Sequence, residues 1–230
     1  MEELVRKLNT PKLNDARNFL VFGASGAIGS ACVQSLSSVG HVIAGNRDLE
    51  ELEKKIASSP FFAGVIWAQG LNHGDSYSDF DLSDFERVLS TNVTFILNTL
   101  KILHQGQKIR PDTQLVVLSS IWGEIARPNK LSYGISKAAI GGLIRSLAVD
   151  LGPSGVQINS VSPGPIDTPM TIANLKPTEF QRVISETPIR RLVSLDEVAS
   201  LVCGLATGKF RGVTGQDIII DGGWSVAKLV

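Results

Sequence analysis

A tyrosine and a lysine four residues apart, Tyr133 and Lys137, have the types and the spacing for acid–base chemistry. Residues at this spacing on a helix project from the same face. A lysine ammonium beside a phenol favours the phenolate and lowers the pKa of the tyrosine. Such a tyrosine can exchange a proton with a substrate oxygen. The same spacing is common on helix surfaces, so the surrounding residues decide whether the pair marks a site.

A serine upstream could belong to the same site. Ser120 comes directly after residues 115–119, an apolar run that is typical of a buried strand. Ligands of parallel sheets bind beyond the carboxyl ends of the strands. The Ser120 hydroxyl could therefore hydrogen-bond the same substrate oxygen as Tyr133. Ser119 is the alternative, although local hydrogen bonding at the strand end is the role that we favour for it.

A glycine-rich turn follows the first predicted strand, with the sequence Gly23-Ala24-Ser25-Gly26-Ala27-Ile28-Gly29. Glycines let the backbone approach a pyrophosphate, and the N-terminus of the following helix favours its charge. The glycine spacing alone would also fit a tight turn with close packing. Its position between a first strand and a helix favours a dinucleotide-binding site.

The second predicted strand ends in Gly45-Asn46-Arg47-Asp48. A dinucleotide fold that prefers NAD carries an acidic residue about 20 residues past the glycine loop, where it binds the ribose 2′-hydroxyl. Asn46 lies nearest that position and does not repel a 2′-phosphate, while Arg47 can pair with one. We favour NADP(H) over NAD(H), although Asp48 is close enough to keep NAD(H) open and Arg47 alone would fit an exposed surface charge.

The segments that must position these residues alternate between strand length and helix length. We predict strands at residues 18–22, 41–44, 64–68, 115–119, 157–161 and 217–220. We predict helices at residues 27–39, 48–58, 82–103, 133–151 and 194–207, the last opened by a Ser194–Glu197 capping box. Near-continuous apolar strands separated by helices predict an α/β fold, with one doubly wound parallel sheet and helices on both faces.

The organisation of the chain is simple. We predict a polar lead-in at residues 1–17 and one dinucleotide-binding catalytic domain at residues 18–230. Residues 163–191 form the least regular span, which is rich in proline and too long for a simple connection. This span is a candidate lid over the site.

The bulk composition excludes several classes of partner. The 22 basic residues balance the 22 acidic ones, so no net charge attracts nucleic acid or anionic lipid. Cys32 and Cys203 are far apart and form no CxxC motif, which argues against a metal site and favours buried thiols in a reducing compartment. No signal core is visible, and no apolar stretch approaches the ~18 residues of a membrane span. We expect a cytoplasmic protein that binds neither nucleic acid nor membrane.

Taken in order, these pieces resemble the short-chain dehydrogenase/reductase family over residues 19–225. The family's glycine loop is similar to residues 23–29, and its Asn-Ala-Gly segment to Ala68-Gln69-Gly70. Its asparagine, serine, tyrosine and lysine match Asn92, Ser120, Tyr133 and Lys137. Its Pro-Gly segment with a closing threonine matches residues 163–168, and its ending resembles residues 214–216 and 221–223.

The resemblance implies a role for each matching residue. Tyr133 would be the general acid/base, and Lys137 would hold the nicotinamide ribose and lower the tyrosine pKa. Ser120 would orient the substrate oxygen. Asn92 would position a proton-relaying water; without the other three residues we would assign it to backbone bonding inside a helix. The nicotinamide end would be bordered by Pro163, Ile166 and Thr168. The family also implies a homotetramer or homodimer that pairs the two long helices.

Three features depart from the family pattern. Phe22 stands where a threonine is usual, and Ala27 where a glycine is usual. Trp67-Ala68-Gln69-Gly70 replaces the usual Asn-Asn-Ala-Gly, near the adenosine half of the cofactor. Only about twenty residues separate Arg47 from Trp67, where the family fits a helix, a strand and another helix. We therefore predict a shortened crossover and a trimmed sheet edge.

The substrate is predicted to be a small molecule with an alcohol or a carbonyl group. Its pocket would lie between Ser120 and the lid, and the candidate lining residues are Ile121, Trp122, Ala126, Met170 and Ile172. The main alternative is a sensor or regulator that binds NADP and has lost turnover. A lyase or epimerase is a third hypothesis, which usually requires a larger substrate domain.

Overall fold

A computed structural model of the chain describes residues 17–168 and 177–227. Most of the predicted lead-in, residues 1–16, lies outside the described residues, as do Met170 and Ile172. Arg17, which we assigned to the lead-in, is the first residue of β1. The strands are β1 (Arg17–Phe22), β2 (Gly40–Ala44), β3 (Gly64–Trp67), β4 (Gln114–Leu118), β5 (Gln157–Pro163), β6 (Ile166–Asp167), β7 (Val193–Ser194) and β8 (Asp217–Ile220).

Six of these strands form one parallel sheet in the order β2-β1-β3-β4-β5-β8, while β6 and β7 pair in a separate two-stranded sheet. All residues of β3 and β4 are buried, as are the last four of β1. Strands that are buried on both faces must be apolar throughout, which explains their near-continuous Val, Ile and Leu. The predicted doubly wound α/β fold is confirmed.

Helices cover both faces of this sheet. They are α1 (Ala27–Leu36), α2 (Leu49–Ala57), α3 (Leu82–Leu89), α4 (Phe95–Gln105), α5 (Leu131–Leu151), α6 (Pro177–Glu186) and α7 (Leu195–Ala206). One core lies between the sheet and α1 with α7, and it contains both cysteines, which are free and buried. The second core lies between the sheet and α2, α4 and α5. None of the helices in the described ranges is long and apolar enough to span a membrane.

The crossover from β2 to β3 consists of α2 and short connections. Asp48 begins this helix, since its side chain accepts hydrogen bonds from the backbone N–H groups of Glu50 and Glu51 at 2.9 and 3.1 Å. The sheet order places β2 at one edge, with β1 as its partner. The predicted shortening of the crossover is therefore confirmed.

The helix predicted at residues 82–103 is interrupted. Between α3 and α4 lies one π-helical turn, Ser90–Thr94, and α4 continues to Gln105. Such a turn takes in an extra residue and is frequent at functional sites. The predicted helical span is therefore present, and the π turn within it is a feature that the apolar periodicity does not indicate.

Other boundaries moved for local reasons. The first helix ends at Leu36 instead of residue 39, because the hydroxyls of Ser37 and Ser38 bond back to backbone carbonyls at 2.7 and 2.8 Å. The helix predicted from residue 133 begins two residues earlier, at Leu131. The capping box of α7 forms as predicted, with the Glu197 N–H donating to Ser194 Oγ at 3.1 Å. The irregular span 163–191 contains β6 and α6.

Candidate active site

Three side chains predicted to share a site converge at the carboxyl end of β4. Lys137 Nζ donates a hydrogen bond to the Leu118 carbonyl oxygen at 2.8 Å, and it lies 5.7 Å from the centre of the Tyr133 ring. Burial raises the pKa of Tyr133, and a hydrogen bond with the Ser120 side chain opposes that rise. A phenol, a hydroxyl and an ammonium therefore share one small volume.

The lysine is the most strongly perturbed of these groups. Lys137 is almost fully buried, and burial lowers its pKa from 10.5 to about 8, against the opposing charge of Asp217. Asp217 itself accepts hydrogen bonds from the hydroxyls of Ser160 and Ser162 at 2.7 to 2.8 Å. The ammonium is thus held over the strand ends away from bulk water, under the influence of the Asp217 carboxylate.

Local structure fixes the serine. Ser120 is extended, with φ −164° and ψ 151°, and its Oγ accepts a hydrogen bond from the Trp122 N–H at 3.3 Å. This bond begins a short 3₁₀ turn, Ile121–Gly123, and it leaves the hydroxyl proton available for another partner. The neighbouring Ser119 hydroxyl donates instead to the Lys137 carbonyl at 3.4 Å, so Ser119 bonds locally.

Asn92 lies inside the π turn and is buried. Its Nδ2 donates to the Leu71 carbonyl at 3.0 Å and to Ser136 Oγ at 2.9 Å, while its Oδ1 accepts from the Leu71 N–H at 2.7 Å. A Cβ placed on Gly70 would lie 3.6 Å from Asn92 Oδ1 and 3.7 Å from Lys137 Nζ. The asparagine therefore joins the loop after β3 to α5, beside the lysine.

The same loop is also anchored to the start of α5, which the sequence analysis missed. Asp75 is buried, with 2% of its surface exposed, and it accepts hydrogen bonds from the Ser132 N–H at 3.0 Å and from the Ser132 hydroxyl. The Leu131 N–H donates to the Asp75 carbonyl at 3.2 Å. A carboxylate at a helix start is favourable, and here it fixes the residue before Tyr133.

The glycine turn has the geometry of a cradle. Gly23 has φ +72°, and a Cβ on it would overlap the backbone of Ala68 and Gln69. A Cβ on Gly29 would overlap the Gly23 carbonyl, so these two glycines set how closely the turn approaches β3 and α1. Gly26 begins α1 without a side-chain cap. These features fit a pyrophosphate at the helix N-terminus.

The other predicted cofactor residues all follow strand ends at the same edge of the sheet. At the turn after β1, Ser25 and Ala27 are exposed and Ile28 is partly buried. The remaining ones are Asn46 and Arg47 after β2, Ala68, Gln69 and Gly70 after β3, and Pro163, Ile166 and Thr168 at and after the end of β5. Because β2, β1, β3, β4 and β5 are neighbours in that order, these residues lie along one edge of the sheet, where ligands of parallel sheets bind.

A search with family models matches residues 61–225 to the model described as enoyl-(acyl carrier protein) reductase. The chain is also 33% identical to the oxidoreductase UcpA of Salmonella typhimurium, over 80% of this chain and 74% of that protein. The chain belongs to the short-chain dehydrogenase/reductase family. A crystal structure of a short-chain dehydrogenase family protein from Francisella tularensis superposes with a TM-score of 0.82 at 26% identity, covering 93% of this chain and all of that one.

A further short-chain dehydrogenase/reductase relative is the glucose 1-dehydrogenase of Gluconobacter oxydans, which is 32% identical over 63% of this chain. The chain spans less than two thirds of the length of several such relatives, including 55% of this glucose 1-dehydrogenase and 62% of the UcpA of Escherichia coli. Membership in the family implies a nicotinamide dinucleotide as cofactor.

Two of the residues that depart from the family pattern, Phe22 and Trp67, belong to one aromatic cluster. The ring of Phe22 stacks on Trp67 at 5.7 Å between centres and meets Phe95 edge-on at 5.4 Å. Trp67 Nε1 donates to Thr99 Oγ1 at 2.8 Å, so the buried indole has its polar partner. A Cβ on Gly45 would overlap the Phe22 ring. This aromatic floor, Phe22, Trp67 and Phe95, fills the space beneath the ends of β1, β2 and β3.

A cavity of about 300 Å³, lined by Phe95 from this floor, opens between the ends of β2 and β3, the π turn and the N-terminal part of α4. Its lining residues are Arg47, Leu49, Gln69, Ser90, Thr91, Phe95 and Asn98. Arg47 is exposed at its rim. Asn46, by contrast, turns its amide toward α2, where it donates to the Glu51 carboxylate and accepts from the Asp48 N–H.

The predicted substrate lining is only partly reproduced. Trp122 and Ala126 line a cavity of about 420 Å³, but Ser120 and Tyr133 are not among its lining residues. Ile121 is fully buried in the core. The Trp122 ring packs edge-on against Trp224 at 5.6 Å and carries the Arg127 guanidinium above it. The described residues hold no cluster of three or more metal-ligating side chains.

Proposed function

We propose that this protein is an NAD(P)(H)-dependent oxidoreductase that interconverts an alcohol and a carbonyl on a small organic substrate. The observation that carries the proposal is the meeting of Tyr133, Ser120 and Lys137 at the carboxyl end of β4, at the same edge of the sheet as the glycine turn after β1. The bound dinucleotide supplies or accepts the hydride. The names of two relatives, a glucose 1-dehydrogenase and a 2-keto-3-deoxy-L-fuconate dehydrogenase at 31–32% identity, support a hydroxyl-bearing substrate.

Tyr133 exchanges the proton. In reduction its phenol donates a proton to the developing alkoxide, and in oxidation its phenolate accepts the alcohol proton. The Ser120 hydroxyl donates to the same oxygen, which holds the substrate in line and stabilises the negative charge that develops there. Burial raises the pKa of Tyr133 in the free protein, and the hydrogen bond with the Ser120 side chain opposes that rise. The positive charge of an oxidised nicotinamide ring would lower the pKa of the phenol further.

Lys137 and Asn92 serve the tyrosine. The ammonium lies 5.7 Å from the centre of the Tyr133 ring. In the role that we propose for it, Lys137 favours the phenolate and holds the nicotinamide ribose. The side chain of Asn92 hydrogen-bonds Leu71 and Ser136. Its proposed role is therefore to shape the turn beside which a proton-relaying water would bind. The predicted roles of both residues stay proposals on this basis.

Two opposite charges near the end of β2, on Arg47 and on Glu51 of α2, affect which dinucleotide binds. Arg47 lies at the rim of the 300 Å³ cavity, where a guanidinium can pair with the 2′-phosphate of a dinucleotide whose adenosine binds there. The Glu51 carboxylate, bonded to Asn46, lies on the same side and would repel that phosphate. We propose that Arg47 prevails and that NADP(H) is preferred over NAD(H).

The remaining parts of the proposal concern the surroundings of the site. Residues 163–191 form a lid over the substrate, and the described part of this span contains β6 and α6. The exposed apolar residues Leu97, Leu131 and Ile135 lie on α4 and α5, which supports pairing of these helices between subunits in a homotetramer or homodimer. The protein acts in the cytoplasm, as one catalytic domain over residues 18–230.

Two measurements on the purified full chain test the proposal. The fluorescence of NADPH and NADH is followed during titration with protein, and turnover is then measured with a panel of aldehydes, ketones, sugars and sugar acids. Binding together with turnover is expected. Binding without turnover across the panel would favour a sensor or regulator, and no binding of either dinucleotide would overturn the proposal.

A further inference from the structure

Gln69 has a side chain that the free protein leaves without partners. The residue is 8% exposed, and neither its Nε2 nor its Oε1 has a hydrogen-bond partner among the described residues. A buried amide without partners is costly, because it has given up its bonds to water and gained none in return. Ser225 Oγ is the other such buried side-chain atom in the described ranges. An unsatisfied amide of this kind points to a missing partner that is itself polar.

The place of Gln69 indicates what that partner is. The residue follows β3, and its backbone lies so close to Gly23 that a Cβ there would come within 2.5 Å of the Gln69 nitrogen. It therefore connects the glycine cradle with the 300 Å³ cavity that it lines. A ligand with its pyrophosphate on the cradle can place its nucleoside in this cavity.

The other walls of the cavity suit a flat heterocycle. Leu49 and the Phe95 ring supply apolar surface, and Phe95 is held in place by its edge-on contact with Phe22. A purine can pack between such walls while its polar edge needs a paired donor and acceptor. A carboxamide offers both at the spacing of the adenine N6 and N7 atoms.

We propose that Gln69 recognises the adenine base of the dinucleotide, accepting from N6 through Oε1 and donating to N7 through Nε2. The assignment rests on the proposed function, since it requires that a dinucleotide binds. The shortened crossover removes the elements between β2 and β3 that would otherwise close this side of the crevice. Gln69 compensates from the loop after β3, a strand that this chain retains.

Binding of a modified dinucleotide tests the proposal. Reduced nicotinamide adenine dinucleotide and its hypoxanthine counterpart are titrated into the wild-type protein, each with and without the 2′-phosphate. Hypoxanthine presents two acceptors, O6 and N7, where adenine presents a donor and an acceptor, so one bond to Gln69 is lost. The wild type is expected to bind the adenine form about tenfold more tightly or better. The Gln69→Leu variant is expected to bind both forms equally.

A second readout does not depend on the ligand. Gln69→Leu removes the unpaired amide at similar volume, so the free variant is expected to melt at the same temperature as the wild type or higher. The control is Gln105→Leu, which alters an exposed residue at the end of α4 and should keep the wild-type discrimination between the bases.

The possible outcomes separate this inference from the proposed function. If the wild type binds the adenine and hypoxanthine forms with equal affinity, the role of Gln69 is overturned while dinucleotide binding stands. Discrimination that persists in Gln69→Leu overturns it as well. If the wild type binds neither form, the proposed function falls, and the role of Gln69 falls with it.

Discussion

The Nζ atom of Lys137 lies 2.8 Å from the carbonyl oxygen of Leu118, which joins the N-terminal third of α5 to the last residue of β4. A strand end normally leaves its final carbonyls to solvent or to a ligand. Here the carbonyl is occupied by the lysine, which is thereby held beside the Tyr133 ring in a buried position. The ammonium is therefore already in position before any ligand binds.

Burial of Lys137 makes stability depend on pH. Its pKa of about 8 in the folded chain lies below the ordinary 10.5, so the unfolded chain binds more protons between these values. The free energy of unfolding should therefore rise as pH increases from about 8 to about 10.5, by up to about 3 kcal/mol. Urea denaturation at several pH values measures this rise against Lys137→Met, which should lack it. Lys101 is an exposed residue of α4, and Lys101→Met should keep the wild-type dependence of unfolding free energy on pH. If Lys137→Met shows the same pH dependence as the wild type, the lowered pKa of Lys137 is contradicted.

Tyr133→Phe should lower kcat about 10²- to 10⁴-fold, because the variant loses the group that exchanges the proton. Dinucleotide affinity, measured by fluorescence titration, should change little. The other tyrosine offers a matched control, since Tyr77 is 91% exposed and Tyr77→Phe should leave turnover unchanged. Full activity of Tyr133→Phe on any substrate would refute the mechanism.

Asp75 should matter for positioning, because its carboxylate binds Ser132, the residue before Tyr133. Asp75→Ala leaves the buried Ser132 N–H and hydroxyl without their acceptor, and we expect a loss of about 2 kcal/mol in unfolding free energy. Turnover should fall, because the start of α5 carries Tyr133. Asp75→Asn, which retains one acceptor oxygen, should restore part of both losses.

The control for this position is Asp79→Ala. Asp79 is an exposed residue that accepts from Ser76 within its own loop, and its replacement should change unfolding by a few tenths of a kcal/mol. If Asp75→Ala behaves like Asp79→Ala in urea denaturation, the anchoring of α5 by this carboxylate is wrong.

The cofactor preference follows from two opposite charges. Arg47→Ala should weaken NADPH binding about tenfold or more while leaving NADH binding nearly unchanged, because only the former carries the 2′-phosphate. Glu51→Gln should strengthen NADPH binding, since it removes a repelling carboxylate without changing the size of the side chain. Titration of both dinucleotides into the three proteins measures the effects. Parallel changes for the two dinucleotides in Arg47→Ala would show that the guanidinium does not recognise the phosphate.

The sheet and the central site follow from local sequence information. Continuous apolar runs define β3 and β4, and the four-residue spacing of Tyr133 and Lys137 places both on one helix face without knowledge of the rest. Ser120 could be placed at the carboxyl end of a strand because the apolar run before it gives way to polar residues there. Each of these inferences needs only the periodicity of one element and the rule that parallel strands expose their carboxyl ends to ligands.

What escaped prediction depends on contacts between distant segments. The π turn around Asn92 is stabilised by bonds to Leu71 and Ser136, and nothing in the sequence of residues 82–103 interrupts the helical pattern. Asp75 is one of several acidic residues in its loop, and its bond to Ser132 exists only in the fold. A carboxamide without partners, as on Gln69, is visible only when all its neighbours are known.

The aromatic floor has an evolutionary consequence. Restoring the family's threonine at position 22 alone would leave a void against Trp67 and would remove the ring that Phe95 contacts, and a large residue at Gly45 would collide with the same ring. Single reversions should each be deleterious while their combination is better tolerated, which is epistasis among touching side chains. Lineages that carry this floor should accordingly gain or lose its members together.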